Sequence, residues 1–320
     1  MTDTKPTPTV LQSSDEDLSN MDIFLYSGTI SYDGFISLAK DIEQRVVDDV
    51  KNDAAVLILN TFGGDPHAGY KIARMLQKEY KRFLVAIPEK CKSAGTLIAI
   101  AADEIIFGSL GELGPLDIQL RKKDEIGEQS STLDIFKALD NLQSRVIESF
   151  RHYVTDIKYG SGVNTKLASD IASTLSESLI KPLSAQIDPI KLGEQKRALS
   201  IAKEYSYRLN QSSENLKDGA LNQLIEGYPS HSFVIDLEES KTLFKRVRSV
   251  QTEIECMLNG IALRAIDVYR EEIQIKSFVA CDFTQLAKQL LAEQASTKDD
   301  NVDSEPSEID QSNVVSVNGE

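Results

Sequence analysis

Apolar residues gather into short unbroken runs along the first hundred positions, and each run is ended by glycine or proline. Asp22-Ile23-Phe24-Leu25-Tyr26 leads to Gly28, and Ala54-Ala55-Val56-Leu57-Ile58-Leu59 stops at Thr61-Phe62-Gly63-Gly64-Asp65-Pro66. Arg82-Phe83-Leu84-Val85-Ala86-Ile87 is closed by Pro88, and Glu104-Ile105-Ile106-Phe107 by Gly108. Short runs without polar alternation suit strands covered on both faces. Helical spacing fills the gaps. From Ser31 to Val50, Phe35, Leu38, Ile42 and Val46 share a face. Asp65 is placed as an N-cap with Pro66 at the first helical position, and Ala68, Ile72, Ala73 and Leu76 form the apolar side that follows. A short helix, apolar nearly all round, is expected over Thr96 to Ala102. Strand, turn and helix in this order predict an α/β domain with a mainly parallel sheet, whose sites lie beyond the carboxyl ends of its strands.

After about Gly127 the pattern becomes helical. One amphipathic stretch covers Leu133 to Val154, and a second, rich in small residues, covers Asn164 to Ile180. Asp188-Pro189 opens a third that runs to about Leu209, and Ser213 is placed to cap a fourth that Gly227 stops. His231-Ser232-Phe233-Val234-Ile235 reads as extended, and Asp236 caps a further helix toward Arg248. The expected organisation is therefore a disordered N-terminus over residues 1–20, an α/β core over 21–126 and a helical portion over 127–292. The last is packed on the core and holds a short extended segment near 231–235. An acidic disordered tail follows over 293–320. Both ends lack the apolar residues needed to offset their ordering entropy; the tail has one lysine against eight acidic residues.

Composition narrows the class. The chain has 320 residues, 41% of them hydrophobic, and a formal net charge of -15. An acidic surface repels phosphate backbones, so nucleic acid is not an expected partner. No apolar run is long enough to span a bilayer, and residues 1–20 hold no secretory leader. Three scattered cysteines, Cys91, Cys256 and Cys281, give neither a disulfide framework nor a metal site and suit a reducing cytoplasm. No HExxH, paired Cys/His spacing or Walker loop is present. No metal or cofactor is expected, and ATP-driven unfolding would need a separate partner.

The chemistry concentrates at Cys91-Lys92-Ser93-Ala94-Gly95-Thr96, where the chain passes from polar to buried. Ser93 can be an ordinary N-cap. It is also where a nucleophile gains most, because the amides of a helix start are unpaired and its dipole end is positive. Ala94 would offer its N–H to a tetrahedral oxyanion. Gly63-Gly64 can be a tight turn, or a place where the missing Cβ lets a substrate carbonyl reach backbone N–H groups.

Phe62-Gly63-Gly64-Asp65 before a helix, followed by Lys92-Ser93-Ala94-Gly95-Thr96, resembles the Clp-fold serine peptidases, and most closely the serine dehydrogenase proteinase (SDH) family. Ala101-Ala102-Asp103-Glu104-Ile105, Leu113-Gly114-Pro115-Leu116-Asp117, Ile187-Asp188-Pro189 and Tyr228-Pro229-Ser230-His231 are similar to that family's segments. The likeness extends over residues 22 to 250. It implies a Clp/crotonase-like sheet-and-helix core with a mainly helical C-terminal half, peptide-bond hydrolysis and a homo-oligomer. It also implies Ser93 as nucleophile, with Gly63 and Ala94 as oxyanion-hole donors.

The general base is the point of departure from the Clp proteolytic subunit, whose histidine follows the serine; here the corresponding stretch is Leu116-Asp117-Ile118-Gln119. His231 is the first choice among three histidines. His67 lies just past Gly63-Gly64, and His152 falls within a helix. Lys137 matches the placement of the base in a Ser-Lys dyad, whereas Lys92 is expected to point away from Ser93. Asp117 can orient a base. Leu113-Gly114-Pro115 can be an ordinary turn or, as the resemblance implies, a segment beside a substrate groove, and Arg121–Ser131 a lid or a loop. The competing readings are an inactive Clp-fold scaffold, and a crotonase-like acyl-thioester enzyme recruiting Glu112 and Asp117.

Overall fold

The computed structural model describes residues 20–116, 132–185, 188–268, 278–289 and 292. The expectations for 1–19, 293–320 and the Arg121–Ser131 segment fall outside these residues. Strands β1 (Asp22–Gly28), β2 (Ala54–Asn60), β3 (Arg82–Ile87) and β5 (Glu104–Phe107) form where the apolar runs predict them. The two-residue strands β4 (Lys90–Cys91) and β6 (Glu112–Leu113) lie apart from them, and β7 (Val247–Ser249) and β8 (Phe278–Asp282) come from the later half. The main sheet has the order β7-β5-β3-β2-β1-β8. Every pairing in it is parallel except β1 with β8.

Alternation along the strands divides the core in two. Phe24, Tyr26, Leu57, Leu59, Phe83 and Val85 face one side. There they meet α1 (Tyr32–Val47), α2 (Pro66–Glu79) and α3 (Ala94–Ala101) through Leu38, Ile72, Leu76 and Leu97. Ile23, Leu25, Val56, Ile58, Leu84 and Ile106 face the other side, which α9 (Glu253–Val268) covers with Leu258, Ile261 and Ile266. This second cover is the physical reason β2 is apolar at every interior position. Asp65 caps α2 by accepting from the His67 N–H, and Pro66 is the first helical residue, as expected.

The later half contains α4 (Thr132–Ser161), α5 (Thr165–Ser184), α6 (Pro189–Ser213), α7 (Ala220–Glu226) and α8 (Leu237–Leu243). The first two helices follow the apolar periodicity and run past its ends. Ser213 does not cap a helix. It is the last residue of α6, and its hydroxyl donates to the Ile100 carbonyl at 2.7 Å; Gly219 occupies the N-cap of α7. Residues 231–232 form a turn rather than part of a strand, and only Ile235 pairs, antiparallel with Leu113. Asp236 caps α8 through the Glu239 N–H, but that helix ends at Leu243 and the chain enters β7.

At the amino end of β1, Asp22 is fully buried and carries a dense set of partners. Arg45 reaches it at 2.6 Å and Asp282 at 2.8 Å, while the Tyr80 hydroxyl donates to Asp22 at 2.8 Å. Burial, helped by that acceptor, holds the Tyr80 phenol far above its ordinary range. The network ties β8 to β1 and α1. Removing one member of such a buried ion pair costs about 3–5 kcal/mol, because the other charge is left uncompensated.

Candidate active site

Four of the parallel strands, β1, β2, β3 and β5, are followed past their carboxyl ends by residues of a second, smaller ladder. Ile30, beyond β1, bridges Gly64, and Thr61, beyond β2, bridges Cys91 of β4. Cys91 pairs with Leu113 of β6, and Leu113 with Ile235. Thr61, Cys91, Leu113 and Ile235 therefore stand side by side, and all four are buried. The ladder brings four distant segments to one place at the strand ends, where α/β sheets place their sites.

Ser93 follows this ladder directly and starts α3. Its backbone adopts φ 52° and ψ -112°, a conformation L-residues rarely take, and its side chain makes no hydrogen bond capping the helix. The ordinary N-cap role is thus absent. Strain of this kind costs about 1–3 kcal/mol and persists only where its surroundings over-determine it. Here the flanking chain is pinned at several points. The Lys92 N–H donates to Thr61 O at 2.9 Å, the Lys92 carbonyl accepts from the Gly95 N–H at 2.8 Å, and the Ser93 carbonyl accepts from the Leu97 N–H at 3.1 Å. Ser93 is 6% exposed, and α3 behind it is buried throughout, giving the serine a rigid seat.

Gly63 lies against this serine. A Cβ there would meet Ser93 Cβ at 2.8 Å and Ser93 Oγ at 3.2 Å, and its φ of 111° already disfavours any side chain. The double-glycine bend and the serine are brought together, as the sequence requires for a shared site. The amide expected as an oxyanion donor is nevertheless engaged: Gly63 N–H donates to Thr61 Oγ1 at 2.9 Å. Gly63 O and Asp65 N–H both face Ile30, at 2.9 and 2.8 Å, so the intervening Gly64 amide is turned away from Ile30. Neither the Gly64 N–H nor the buried Ala94 N–H has an acceptor among the described residues.

Thr96 Oγ1 donates to Gly114 O at 2.8 Å, and Gly114 N–H donates to Cys91 O at 3.1 Å, which holds Leu113-Gly114-Pro115 against the nucleophile's helix. Lys92 is turned from the helix start toward Glu112, at 3.1 Å, as expected. Burial pushes the Cys91 thiol well above its ordinary range, so it is no competing nucleophile.

The candidate bases are differently placed. His231 sits half-buried in the turn that leads into Ile235, two residues before Phe233, whose carbonyl accepts from Lys92 Nζ at 3.3 Å. That connection ties its segment to the nucleophile's strand. His67 is exposed, and its Nδ1 lies 2.9 Å from the hydroxyl of Tyr205 on α6. His152 is on the exposed side of α4 with Asp156 at 3.4 Å, away from the ladder's named contacts. Asp117 lies outside the described residues. Lys137 belongs to α4, and its side chain is likewise outside them. Sequence reasoning named Gly63 rather than Gly64 within the glycine pair, and it missed Thr61, whose hydroxyl engages the Gly63 amide.

The central sheet with its helical cover has a Clp/crotonase-like architecture, with a mainly helical later half. The model of the ClpP-like SDH-type serine proteinases matches residues 34–158, which include both Gly63-Gly64 and Ser93. Two curated relatives are uncharacterized proteins of Methanocaldococcus jannaschii. MJ1495 is 30% identical over 131 residues, covering 37% of this chain and 44% of that protein. MJ0137 is 44% identical over 64 residues, covering 20% of this chain and 22% of that protein. The chain thus spans less than half the length of either. Among solved structures, the 1510-N membrane-bound stomatin-specific protease, in a serine-to-alanine mutant, is 16% identical with a TM-score of 0.28, covering 46% of this chain and 66% of that one. No helix among the described residues is long and apolar enough to cross a membrane.

Proposed function

We propose that the protein is a serine peptidase that cleaves peptides or unfolded proteins through an acyl-enzyme. The observation that carries this reading is the strained Ser93 at the start of buried α3, facing Gly63 instead of capping its helix. Ser93 Oγ attacks the scissile carbonyl as a base takes its proton. The oxyanion is held by the N–H groups of Ala94 and Gly64, the latter replacing Gly63, whose amide is given to Thr61. The protonated base then passes its proton to the leaving amine, and water hydrolyses the Ser93 ester by the same route in reverse. His231 is the proposed base, since its turn is anchored to the strand that precedes Ser93; His67, Lys137 and Asp117 stand behind it. The activity needs no ATP of its own, and the three free cysteines suit a cytoplasmic setting.

The protein is further proposed to act as a homo-oligomer. On α5 the small residues Ala168, Ala172 and Ser176 are buried, while Leu167, Ile171, Leu175 and Leu179 are 46, 38, 43 and 54% exposed. Their spacing of four aligns them in one apolar ridge along the helix. Lys166, Asp170, Glu177 and Lys181 border the ridge with balanced charge, whereas the chain as a whole carries -15. A second copy of so acidic a chain approaches with least repulsion there.

Turnover tests the catalytic reading. Unfolded casein or a fluorogenic peptide library should be cleaved by the wild type and not by Ser93→Ala. Equal turnover by the two proteins would refute Ser93 as nucleophile.

A further inference from the structure

The ladder beside Ser93 contains a buried ammonium that the proposed chemistry does not use. Lys92 is 5% exposed, and Nζ donates to Leu113 O and Phe233 O, at 3.3 Å each, and pairs with Glu112 Oε1 at 3.1 Å. Two hydrogen bonds and one ion pair therefore surround the ammonium, and Glu112 balances its charge. Its stem lies across Gly114, where a Cβ would stand 2.4 Å from Lys92 Cδ; only glycine leaves it that path. One side chain thereby joins the strand that leads into Ser93, the β6 segment and the turn that carries His231. These segments are separated by 21 and 141 positions from Lys92. Packing alone does not require a charge here. A buried ion pair is commonly no more stable than apolar residues of the same volume, but it fixes where its partners must sit.

We infer that Lys92 is a positioning residue, whose ammonium sets the His231 turn and the Gly114 segment at fixed distances from Ser93 and holds the serine in its strained conformation. The inference rests on the serine-peptidase reading and names what keeps that site assembled. Without the ammonium, the 233 carbonyl and Glu112 lose their common centre, and the base segment is free to drift from the nucleophile. A displacement near 1 Å reduces rates about 100-fold.

The test uses the full-length chain and a fluorophosphonate probe whose labelling of Ser93 is followed by mass spectrometry. The variants are Glu112→Gln, which keeps an acceptor, and Lys92→Met with Glu112→Gln, which leaves no unpaired charge. The double variant should melt within a few degrees of wild type, bind the probe with unchanged half-saturation and label Ser93 about 100-fold more slowly at saturation. Glu112→Gln should fall between the two. A double variant that is folded and labels at the wild-type rate overturns the positioning role and leaves the peptidase reading intact. A variant whose melting temperature collapses makes Lys92 a stability residue and also overturns it. A folded wild type that is not labelled at Ser93 overturns the peptidase reading, and the inference with it.

Discussion

Replacing Ser93 by glycine removes a hydroxyl and also the Cβ that makes φ 52°, ψ -112° costly, so it separates chemistry from strain. The proper reference is Ser93→Ala, which loses the same hydroxyl but keeps the Cβ. Strain at such a backbone is worth about 1–3 kcal/mol. Against it stands the greater freedom of glycine in the unfolded chain, about 0.4–1 kcal/mol. The difference leaves Ser93→Gly more stable than Ser93→Ala by about 1 kcal/mol, or roughly 2 °C in melting temperature for a domain of this size. Urea denaturation monitored by circular dichroism resolves that gap. Both variants should be inactive, so activity plays no part in the comparison. A glycine variant that unfolds at the same urea concentration as the alanine variant, or lower, would refute the claim that Ser93 is held under strain.

Gly63→Ala should lower stability by about 2–3 kcal/mol and slow probe labelling at least roughly tenfold, because its Cβ would meet Ser93 Cβ at 2.8 Å on a backbone that already disfavours it; denaturation and labelling on one preparation check both. Burial alone would raise the Glu255 carboxyl, but hydrogen bonds from Arg248 and from the Gln251 and Thr252 amides outweigh it and hold the group below the ordinary 4.5. The unfolded chain therefore binds this proton first on acidification, so the stability it contributes is complete above pH 4.5 and drains away as pH falls through the folded value. Arg248→Met should lower the melting temperature at pH 7 and flatten that acid-side slope, as read in melts from pH 7 to 3. Ile171→Glu with Leu175→Glu should halve or further reduce the sedimentation mass at unchanged helix content, and an unchanged mass would remove α5 from the interface.

Strands β1, β2, β3 and β5 were legible because residues buried on both faces leave unbroken apolar runs, as in Ala55 to Leu59, whereas β7 and β8 were not, since they lie in the half read as helical and are short edge strands without such a run. The α2 cap was legible because Asp65-Pro66 acts locally. The small ladder was not, since Thr61, Cys91, Leu113 and Ile235 each contribute one or two residues and their pairing is wholly non-local. The same holds for Asp22, Arg45, Tyr80 and Asp282, whose association has no local pattern. Ser213 reads as a cap by residue type, but its hydroxyl is taken by Ile100 across the fold. At the site, residue types pointed to Ser93, Ala94 and the glycine pair. Which glycine amide is unengaged follows from ladder phase and from the Thr61 hydroxyl, neither of which a motif encodes.

Catalysis by Ser93 requires its hydroxyl to face main-chain amides free to hold an oxyanion, and a crystal structure of the fluorophosphonate-treated protein measures that directly. The prediction is phosphorus bonded to Ser93 Oγ, with its phosphoryl oxygen about 2.7–3.1 Å from the N–H groups of Ala94 and Gly64. An unmodified Ser93, or an adduct whose oxygen points into solvent away from both amides, would contradict it.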